Sequence, residues 1–422
     1  MQQQKNIYYL LALVIASVLV YFPILNNQLL DFWDDQWVVM NHYTEGGFTL
    51  HNIWRIFAEF YHGQYAPFNE MLYLILYNCF GGYNATAFHL ASLVLHIANC
   101  CLVFLVVKKL LVLCKRVKQE RIGVIAFITA LIFCVHPLNV ESVAWMSASK
   151  ILVYALFYLL ATYTFLLFVE KGKKRFYVYT LLLFVFSFFG KEQAVTFPVF
   201  MLLVYWLINR KFYTEKKVWF LTAPFFVLAL AFGIITIYSQ NPSGNFPAGY
   251  PIWQRFVFAC YSFFEYLFKI LLPFKLSYIY PFPVAVGSPL PSWLLIYPVL
   301  LVGIGVSLWR FLKQWQVAFG VMFFAIHIAV ALHIISLSRF TIVADRYAYL
   351  AIIGIGFILA YYITELYSKL KSTNIKRVAI TLLTCFILYL GIYAHTRTYV
   401  WYNVDSLKKE LRELIERKNE FK

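Results

Sequence analysis

Apolar segments of roughly membrane-spanning length recur along almost the whole chain. A helix that crosses a bilayer needs about 20 largely apolar residues, because lipid offers its backbone N–H and C=O groups no other hydrogen-bond partners. By this criterion the sequence predicts eleven spans, near residues 7–25, 88–112, 122–136, 150–169, 177–190, 194–208, 218–238, 292–310, 317–335, 347–366 and 378–395. With 62% hydrophobic and 13% charged residues, the pattern predicts an all-α polytopic membrane protein and excludes a soluble globular chain.

The basic residues indicate how these spans are oriented. If the N-terminus is cytoplasmic, 20 of the 36 Lys and Arg residues lie in inner loops and eight in outer segments, as the positive-inside rule requires. The net charge of +17 is then explained by membrane orientation, and nucleic acid is not expected as a partner. The first span follows a single cation, Lys5, and lacks a small-residue cleavage site, so we expect it to be retained.

The sequence divides into a transmembrane domain at 1–395 and a short outer-side helical tail at 396–422. Two long outer loops are predicted, at 26–87 and 239–291. In the tail, one apolar helix face is expected to carry Leu407, Leu411, Leu414 and Ile415.

Both long outer loops contain a segment that is typical of an interfacial helix. Residues 251–274 are apolar but are interrupted by Arg255, Glu265 and Lys269, so we expect a helix that lies in the outer interface or dips into it. Residues 52–60 also combine apolar residues at helical spacing with charges. The flank Asn241–Gly244 is typical of a loop.

Asp34 and Asp35 stand directly after the first predicted span, between Trp33 and Trp37. The simplest interpretation of a pair of loop acids is a solvated loop start. However, aromatic neighbours lower the local dielectric and raise a carboxylate pKa toward the working range of a general base. This setting favours a functional role.

Other polar residues fall at the predicted outer ends of spans, namely His136 and Glu141, Lys150, Lys191 and Glu192, and Asp345 and Arg346. Cations at that level suit a lipid phosphate, and Arg offers a fork of donors for phosphate oxygens. Each motif has a simpler alternative: a proline-marked helix boundary at His136, a Lys150 that snorkels to the surface, and a turn with a neutralised pair at Lys191 and Glu192.

The seven cysteines form no CxxC pair and show no Cys/His ligand spacing, so we expect small core hydrophobes and neither a metal site nor a disulfide framework. Zinc-protease, nucleophile-elbow and P-loop patterns are also absent from the sequence.

The order of several short motifs resembles the GT-C superfamily of polyprenyl-phosphate-sugar-dependent glycosyltransferases. These motifs are Phe32-Trp33-Asp34-Asp35, His136-Pro137-x-x-x-Glu141, Gly190-Lys191-Glu192-Gln193, Pro273-Phe274-Lys275-Leu276-Ser277 and Asp345-Arg346-Tyr347-x-Tyr349. Over most of residues 1–403 the chain looks like the membrane core of the transmembrane and tetratricopeptide-repeat O-mannosyltransferases. It is similar more distantly to protein O-mannosyltransferases and bacterial aminoarabinose transferases.

The resemblance implies a GT-C-like fold and transfer of a sugar, mannose or another hexose or pentose, from a polyprenyl-phosphate donor. The acceptor would be a hydroxyl of an outer-side protein, lipid or glycan, with no bound cofactor and no divalent metal. By position, Asp34 is the candidate base and Asp35 its orienting partner, while the other predicted site residues divide into donor-phosphate contacts (Lys191, Arg346, Lys150) and supporting residues (His136, Glu141, Glu192, Asp345). The implied location is the bacterial inner membrane with a periplasmic site, or alternatively the endoplasmic reticulum membrane with a luminal site.

The sequence departs from the family pattern at two points. The relatives continue into a helical repeat array that this sequence lacks, and Ala148-Ser149-Lys150-Ile151 stands where they tend to carry a Gly-Arg-Ala-Asp-like segment.

A transporter or lipid flippase usually needs ionisable residues within its spans, where this chain has almost none. A polymerase or ligase of lipid-linked glycans would share the donor and differ in the acceptor.

Overall fold

The computed structural model describes residues 2–240, 249–334 and 341–420, and within these ranges the chain forms nineteen α-helices. The helices of the first half are α1 Gln2–Tyr21, α2 Asp35–Val38, α3 His42–Glu45, α4 Leu50–Ala58, α5 Pro67–Phe80, α6 Ala85–Cys114, α7 Gln119–Val135, α8 Val140–Ala144, α9 Lys150–Lys171 and α10 Lys174–Gly190. Those of the second half are α11 Phe197–Ile208, α12 Lys216–Gln240, α13 Ile252–Leu271, α14 Ile296–Ser307, α15 Trp309–Leu312, α16 Trp315–Ile328, α17 Ile352–Lys369, α18 Thr373–Thr398 and α19 Val404–Glu420.

Each of the eleven predicted spans coincides with one of these helices, namely α1, α6, α7, α9, α10, α11, α12, α14, α16, α17 and α18. By length and composition alone, five segments of the described chain are long and apolar enough to cross a membrane: Gln4–Asn26, Ala85–Cys114, Met146–Lys171, Lys216–Gln240 and Thr373–Trp401. A sixth is obtained if α7 and Pro137–Ala144, which are bent by 53°, are taken as one span. The all-α polytopic fold is therefore confirmed, whereas the number of eleven spans stays a prediction.

The bend after α7 has a local cause at His136 and Pro137. Proline has no N–H to continue the helical ladder, and its ring disfavours helical backbone at the preceding residue. His136 is accordingly extended (φ −72°, ψ 127°), and its Nδ1 accepts the backbone N–H of Leu138 at 3.2 Å. The segment that follows is thereby turned back into the bundle.

The centre of the bundle is built by α6, α7, α9 and α17, with α1 against α6 and α7, and α16 against α17. Because lipid is as apolar as the side chains themselves, helices in a membrane associate through close packing rather than through the hydrophobic effect. Gly320 of α16 and Gly354 of α17 show such packing, since a Cβ on Gly320 would lie 2.6 Å from the carbonyl oxygen of Gly354.

We expect Gly354→Ala to destabilise the protein by about 1–3 kcal/mol, the usual cost of overpacking. The added methyl would lie 2.8 Å from the backbone N of Phe324, so α16 and α17 must separate. Thermal unfolding in detergent should therefore show a lower Tm. Gly303→Ala on α14 is the matched control, because a Cβ there meets no atom within 4 Å. Equal Tm values for the two variants would contradict this account of the contact.

The first long loop contains four helices, α2 to α5. The predicted amphipathic helix is α4, which begins at Leu50 because the Thr49 hydroxyl accepts the backbone N–H of Asn52 at 3.1 Å. Helix α5 was not anticipated, since its 14 residues fall short of a membrane span. Whether α4 lies in a membrane interface stays a prediction.

The second long loop contains α13, which matches the helix expected near 251–274 and is not among the segments long and apolar enough to span. After it, Tyr280–Pro281 pairs antiparallel with Thr341–Val343 in a small two-stranded sheet. The predicted loop flank Asn241–Gly244 and part of the predicted loop 239–291 lie outside the described residues.

The tail is the helix α19, as predicted, but one residue of its expected apolar face is placed differently. Leu407 is buried and Leu411 and Leu414 pack against the core, whereas Ile415 is 52% exposed. An α-helix turns about 100° per residue, so Ile415, which follows Leu414 directly, faces away from the packed side.

Candidate active site

A cavity of about 530 Å³ lies where the first long loop meets the ends of several helices. Its lining comes from six parts of the chain: Asp34 and Trp37; residues 62–66; Trp145, Ser147 and Lys150; Lys191 and Glu192; Thr236, Ser239 and Gln240; and Arg346 and Tyr347. Five of the nine predicted site residues line it, namely Asp34, Lys150, Lys191, Glu192 and Arg346. Their roles stay predictions, but the chain folds so that they share one space.

Asp34 precedes the short helix α2 and is half-buried in the cavity wall beside Trp37. Its side chain makes no capping hydrogen bond to that helix. Burial raises the pKa of Asp34 above its usual value, and the positive charges of Lys150 and Arg346 partly offset this increase. Asp34 is therefore a carboxylate that faces a cavity with cations nearby.

Asp35 is oriented away from the cavity and is fully buried. One of its oxygens accepts the backbone N–H of Leu30 at 2.9 Å. The other accepts both the backbone N–H of Ser147, at 2.9 Å, and the Ser147 hydroxyl. Burial raises the pKa of Asp35 to about 6, although these hydrogen bonds oppose the increase. Asp35 thus ties the first loop to the segment before α9, and the bonds it makes are to Leu30 and Ser147 rather than to Asp34.

We expect Asp35→Ala to destabilise the protein by about 2–5 kcal/mol, because it leaves two buried N–H groups and one hydroxyl without acceptors. Thermal unfolding in detergent measures the loss. Asp31→Ala is the control, since Asp31 is exposed in the same loop and such a change usually stays within about 0.5 kcal/mol. A wild-type Tm in Asp35→Ala would show that these hydrogen bonds do not stabilise the loop.

Lys150 is the first residue of α9, and its ammonium group donates a hydrogen bond to the side-chain oxygen of Gln64. It lies in no ion pair among the described residues. A cation that faces a cavity with only an amide partner retains most of its capacity to bind an anion.

Lys191 is positioned close to Lys150 by the packing of α10 against α9. The preceding residue, Gly190, has no room for a side chain, because a Cβ would lie 2.6 Å from the backbone N of Tyr154. The Lys191 ammonium is 3.3 Å from the Glu192 carboxylate and 5.4 Å from the centre of the Tyr347 ring. It is buried and only partly neutralised by this single, long ion pair.

Arg346 is fixed by Glu141, which lies behind it. The backbone N–H of Arg346 donates to one Glu141 oxygen at 2.8 Å, and the guanidinium donates to the other oxygen. The guanidinium also lies over the rings of Trp145, at 5.3 Å, and Tyr347, at 4.9 Å. These contacts hold the cation in a defined position at the cavity wall.

Four of the predicted site residues do not line the cavity: Asp35, His136, Glu141 and Asp345. The ring of His136 is fully buried and bonded on both sides, since its Nε2 is 3.0 Å from the carbonyl oxygen of Ile270. Asp345 accepts the Tyr280 hydroxyl at 2.9 Å, and burial, with the nearby Glu141 charge, raises the pKa of Asp345 to about 7. Among these four, Glu141 supports a cavity residue directly.

Sequence reasoning did not identify the turn Tyr61–Gln64, which covers the cavity. Tyr61 and Gln64 form an isolated antiparallel bridge, and both residues between them, His62 and Gly63, have positive φ. The dipeptide His62-Gly63 in a predicted loop could have indicated this turn, because glycine adopts positive φ without steric cost. Beneath the turn, Glu70 accepts an Asn41 amide hydrogen bond at 3.1 Å, and burial raises the pKa of Glu70 to about 7.

A larger cavity, of about 840 Å³, lies elsewhere, between α18, α19 and the loop at 274–276. Its central charges are already paired, since Arg397 is 3.0 Å from Glu410 and also donates to the carbonyl oxygen of Leu276. None of the predicted site residues lines it. We therefore take the smaller cavity as the candidate active site.

The fold and the apolar helices define an all-α, polytopic integral membrane protein whose polar cavity is lined by the carboxylates of Asp34 and Glu192 and by three cations. No protein-family model and no curated protein matches the chain. Among solved structures, it is similar to the oligosaccharyltransferase of Archaeoglobus fulgidus, crystallised with a disulfide-tethered acceptor peptide that contains the NVT sequon, with 15% identity and a TM-score of 0.47. The match covers 93% of this chain and 55% of that chain, so this chain spans about half the length of that enzyme.

Proposed function

We propose that the protein is a GT-C-type membrane glycosyltransferase that moves a sugar from a polyprenyl-phosphate donor to an acceptor hydroxyl. The observation that carries the proposal is the single cavity shared by Asp34, Lys150, Lys191 and Arg346, which come from four separate parts of the chain. A carboxylate beside several cations is the arrangement that a displacement at a phosphate-bearing carbon requires. The motifs that resemble GT-C enzymes include three of these four residues, Asp34, Lys191 and Arg346, whereas Lys150 lies in a segment that departs from the resemblance.

The donor phosphate is assigned to the three cations. Lys150 has only an amide partner, Lys191 has one long ion pair, and Arg346 is oriented by Glu141. In a partly buried cavity their attraction for an anion is stronger than in water. Lys150 is the contact that we expect to contribute most, because among the described residues Lys191 and Arg346 each form an ion pair with a carboxylate and Lys150 forms none.

The lipid chain of the donor is assigned to the outer surface of α12. Thr236, Ser239 and Gln240 of this helix line the cavity. On the same helix, Ile234 is 60% exposed and Tyr238 is 59% exposed. In a membrane these apolar side chains face lipid, so a polyprenyl chain can extend along them while its phosphate enters the cavity.

In the proposed reaction Asp34 takes the proton of the acceptor hydroxyl, and the oxygen attacks the anomeric carbon of the sugar. The bond between that carbon and the phosphate oxygen breaks, and the anomeric configuration is inverted. Lys150, Lys191 and Arg346 stabilise the negative charge that develops on the leaving polyprenyl phosphate. Asp35 takes no proton and maintains the shape of the loop through Ser147.

The sugar is proposed to be mannose or another hexose or pentose, and the acceptor a protein, lipid or glycan on the outer side of the membrane. The proposed location is the bacterial inner membrane, with the cavity open to the periplasm. No bound cofactor and no divalent metal take part in the proposed steps.

The experiment that tests this function uses the purified protein in liposomes with a panel of radiolabelled polyprenyl-phosphate sugars, with and without a chelator. We expect one donor to be consumed and polyprenyl phosphate to be released in both conditions. Consumption of no donor, together with uptake of solute or movement of lipid between leaflets, would identify a transporter or flippase instead. Growth of a lipid-linked glycan would identify a polymerase or ligase.

A further inference from the structure

A second polar cluster lies inside the bundle, away from the proposed active site. It contains His96 and Cys100 of α6 and Cys134 of α7, all fully buried. A ring nitrogen of His96 and the two sulfur atoms all lie within 4.8 Å of one another. None of the three lines the candidate active site. The cysteines were expected to be core hydrophobes, but His96 and Cys100 are four residues apart on α6, a spacing that places both side chains on one face of the helix.

The distance between the His96 ring and the Cys100 sulfur matches that between two ligands of a tetrahedral zinc ion. Zn–S bonds of about 2.3 Å and Zn–N bonds of about 2.0–2.1 Å imply roughly 3.5–3.8 Å between neighbouring ligand atoms. The His96 Nε2 is 3.5 Å from the Cys100 sulfur. The Ser17 hydroxyl of α1 lies beside both sulfur atoms, 3.1 Å from that of Cys134 and 3.9 Å from that of Cys100.

The surroundings of the cluster hold the imidazole ring in place. The Nδ1 of His96 is 2.8 Å from the Tyr349 hydroxyl, which also accepts a hydrogen bond from the Asn99 amide at 3.3 Å. A hydrogen bond on the second ring nitrogen is what orients histidine ligands in metal sites. In addition, the Tyr21 hydroxyl and the Asn99 side-chain oxygen are buried without a partner in the described structure. Buried polar atoms of this kind indicate a bound water or ion.

We propose that Cys100, Cys134 and His96 bind one Zn²⁺ ion that ties α6 to α7, with the Ser17 hydroxyl as the fourth neighbour. Binding converts both thiols to thiolates and releases two protons. The imidazole of His96 stays neutral: its proton moves from Nε2, which lies 3.2 Å from the carbonyl oxygen of Cys134, to Nδ1, which faces the Tyr349 hydroxyl, so that the Nε2 lone pair is free to bind the ion.

Charge balance favours a divalent ion over a monovalent one. Two thiolates, a neutral imidazole and a neutral hydroxyl sum to zero with Zn²⁺, whereas a monovalent copper ion would leave one negative charge. An unpaired charge inside an apolar bundle is strongly unfavourable. The neutral zinc site is therefore the form that this environment accepts.

The test measures the metal content of the purified full-length protein by inductively coupled plasma mass spectrometry. We expect about one zinc ion per chain, bound as a structural site of this ligand type, and its loss in the double variant Cys100→Ser/Cys134→Ser. Cys114→Ser is the matched control, because Cys114 is another buried cysteine of α6, outside the cluster. It should keep its zinc.

X-ray absorption at the zinc edge of the unmodified protein keeps the proposal testable if the double variant does not fold. Two sulfur neighbours at about 2.3 Å and lighter neighbours at about 2.0–2.1 Å are expected. Absence of zinc, copper in its place, or zinc retained in a folded double variant would each overturn the proposal. Because the readout is bound metal, failure here leaves the proposed sugar transfer unaffected.

Discussion

Asp34→Asn is expected to lower the rate of sugar transfer by about 10²–10⁴-fold, the usual contribution of a positioned general base. Asparagine has nearly the same shape, so the cavity keeps its volume, but a neutral amide cannot take the proton of the acceptor hydroxyl. The measurement is transfer of labelled sugar from the polyprenyl-phosphate donor in liposomes, with donor and acceptor both saturating, so that the loss appears in kcat.

Asp31→Asn is the matched control for this variant, because Asp31 is an exposed acid of the same loop and does not line the cavity. It should transfer sugar at the wild-type rate. Asp34→Asn should keep the wild-type Tm, since the side chain makes no capping bond to α2 and the amide oxygen of asparagine can still accept the hydrogen bond from Trp37. Transfer at the wild-type rate by a folded Asp34→Asn protein would exclude Asp34 as the base.

The helices of the bundle could be predicted from the sequence because a single physical requirement determines most of their length and composition. Lipid forces long apolar helices, so hydropathy alone predicted eleven segments that each coincide with a helix. Elements that do not have to cross the membrane were harder to predict from the sequence. Helix α5 is too short to resemble a span, and the turn at His62 and Gly63 depends on its contacts with the rest of the cavity wall.

For the candidate site, the sequence predicted only which ends of the spans carry polar residues. Charge patterning predicts which end of a span carries a polar residue, but not the direction in which its side chain points. Asp34 and Asp35 show the difference, because adjacent residues at a helix start are rotated by about 100°. One therefore faces the cavity and the other accepts hydrogen bonds from Ser147 in the interior. Asp345 and Arg346 diverge in the same way, toward Tyr280 and toward the cavity.

Lys150→Met is expected to lower kcat by about 10²–10³-fold, the usual loss when one stabilising donor is removed from developing negative charge. Methionine keeps most of the volume of the lysine stem and removes only the cation. A second effect concerns Asp34, whose pKa is raised by burial and held down partly by Lys150. Without that cation the pKa of Asp34 rises further. Since the base must be deprotonated, the acid limb of the profile of kcat/KM against pH should move to higher pH.

Lys275→Met separates this electrostatic effect from a general loss of positive charge. Lys275 lines the larger cavity between α18 and α19, so its removal should change neither kcat nor the acid limb. A slower Lys150→Met enzyme with an unmoved acid limb would mean that Lys150 contacts the donor without acting on Asp34. An unchanged kcat would remove Lys150 from the phosphate site. A lower kcat with a shifted acid limb is the result expected if Lys150 acts both on the donor phosphate and on the pKa of Asp34.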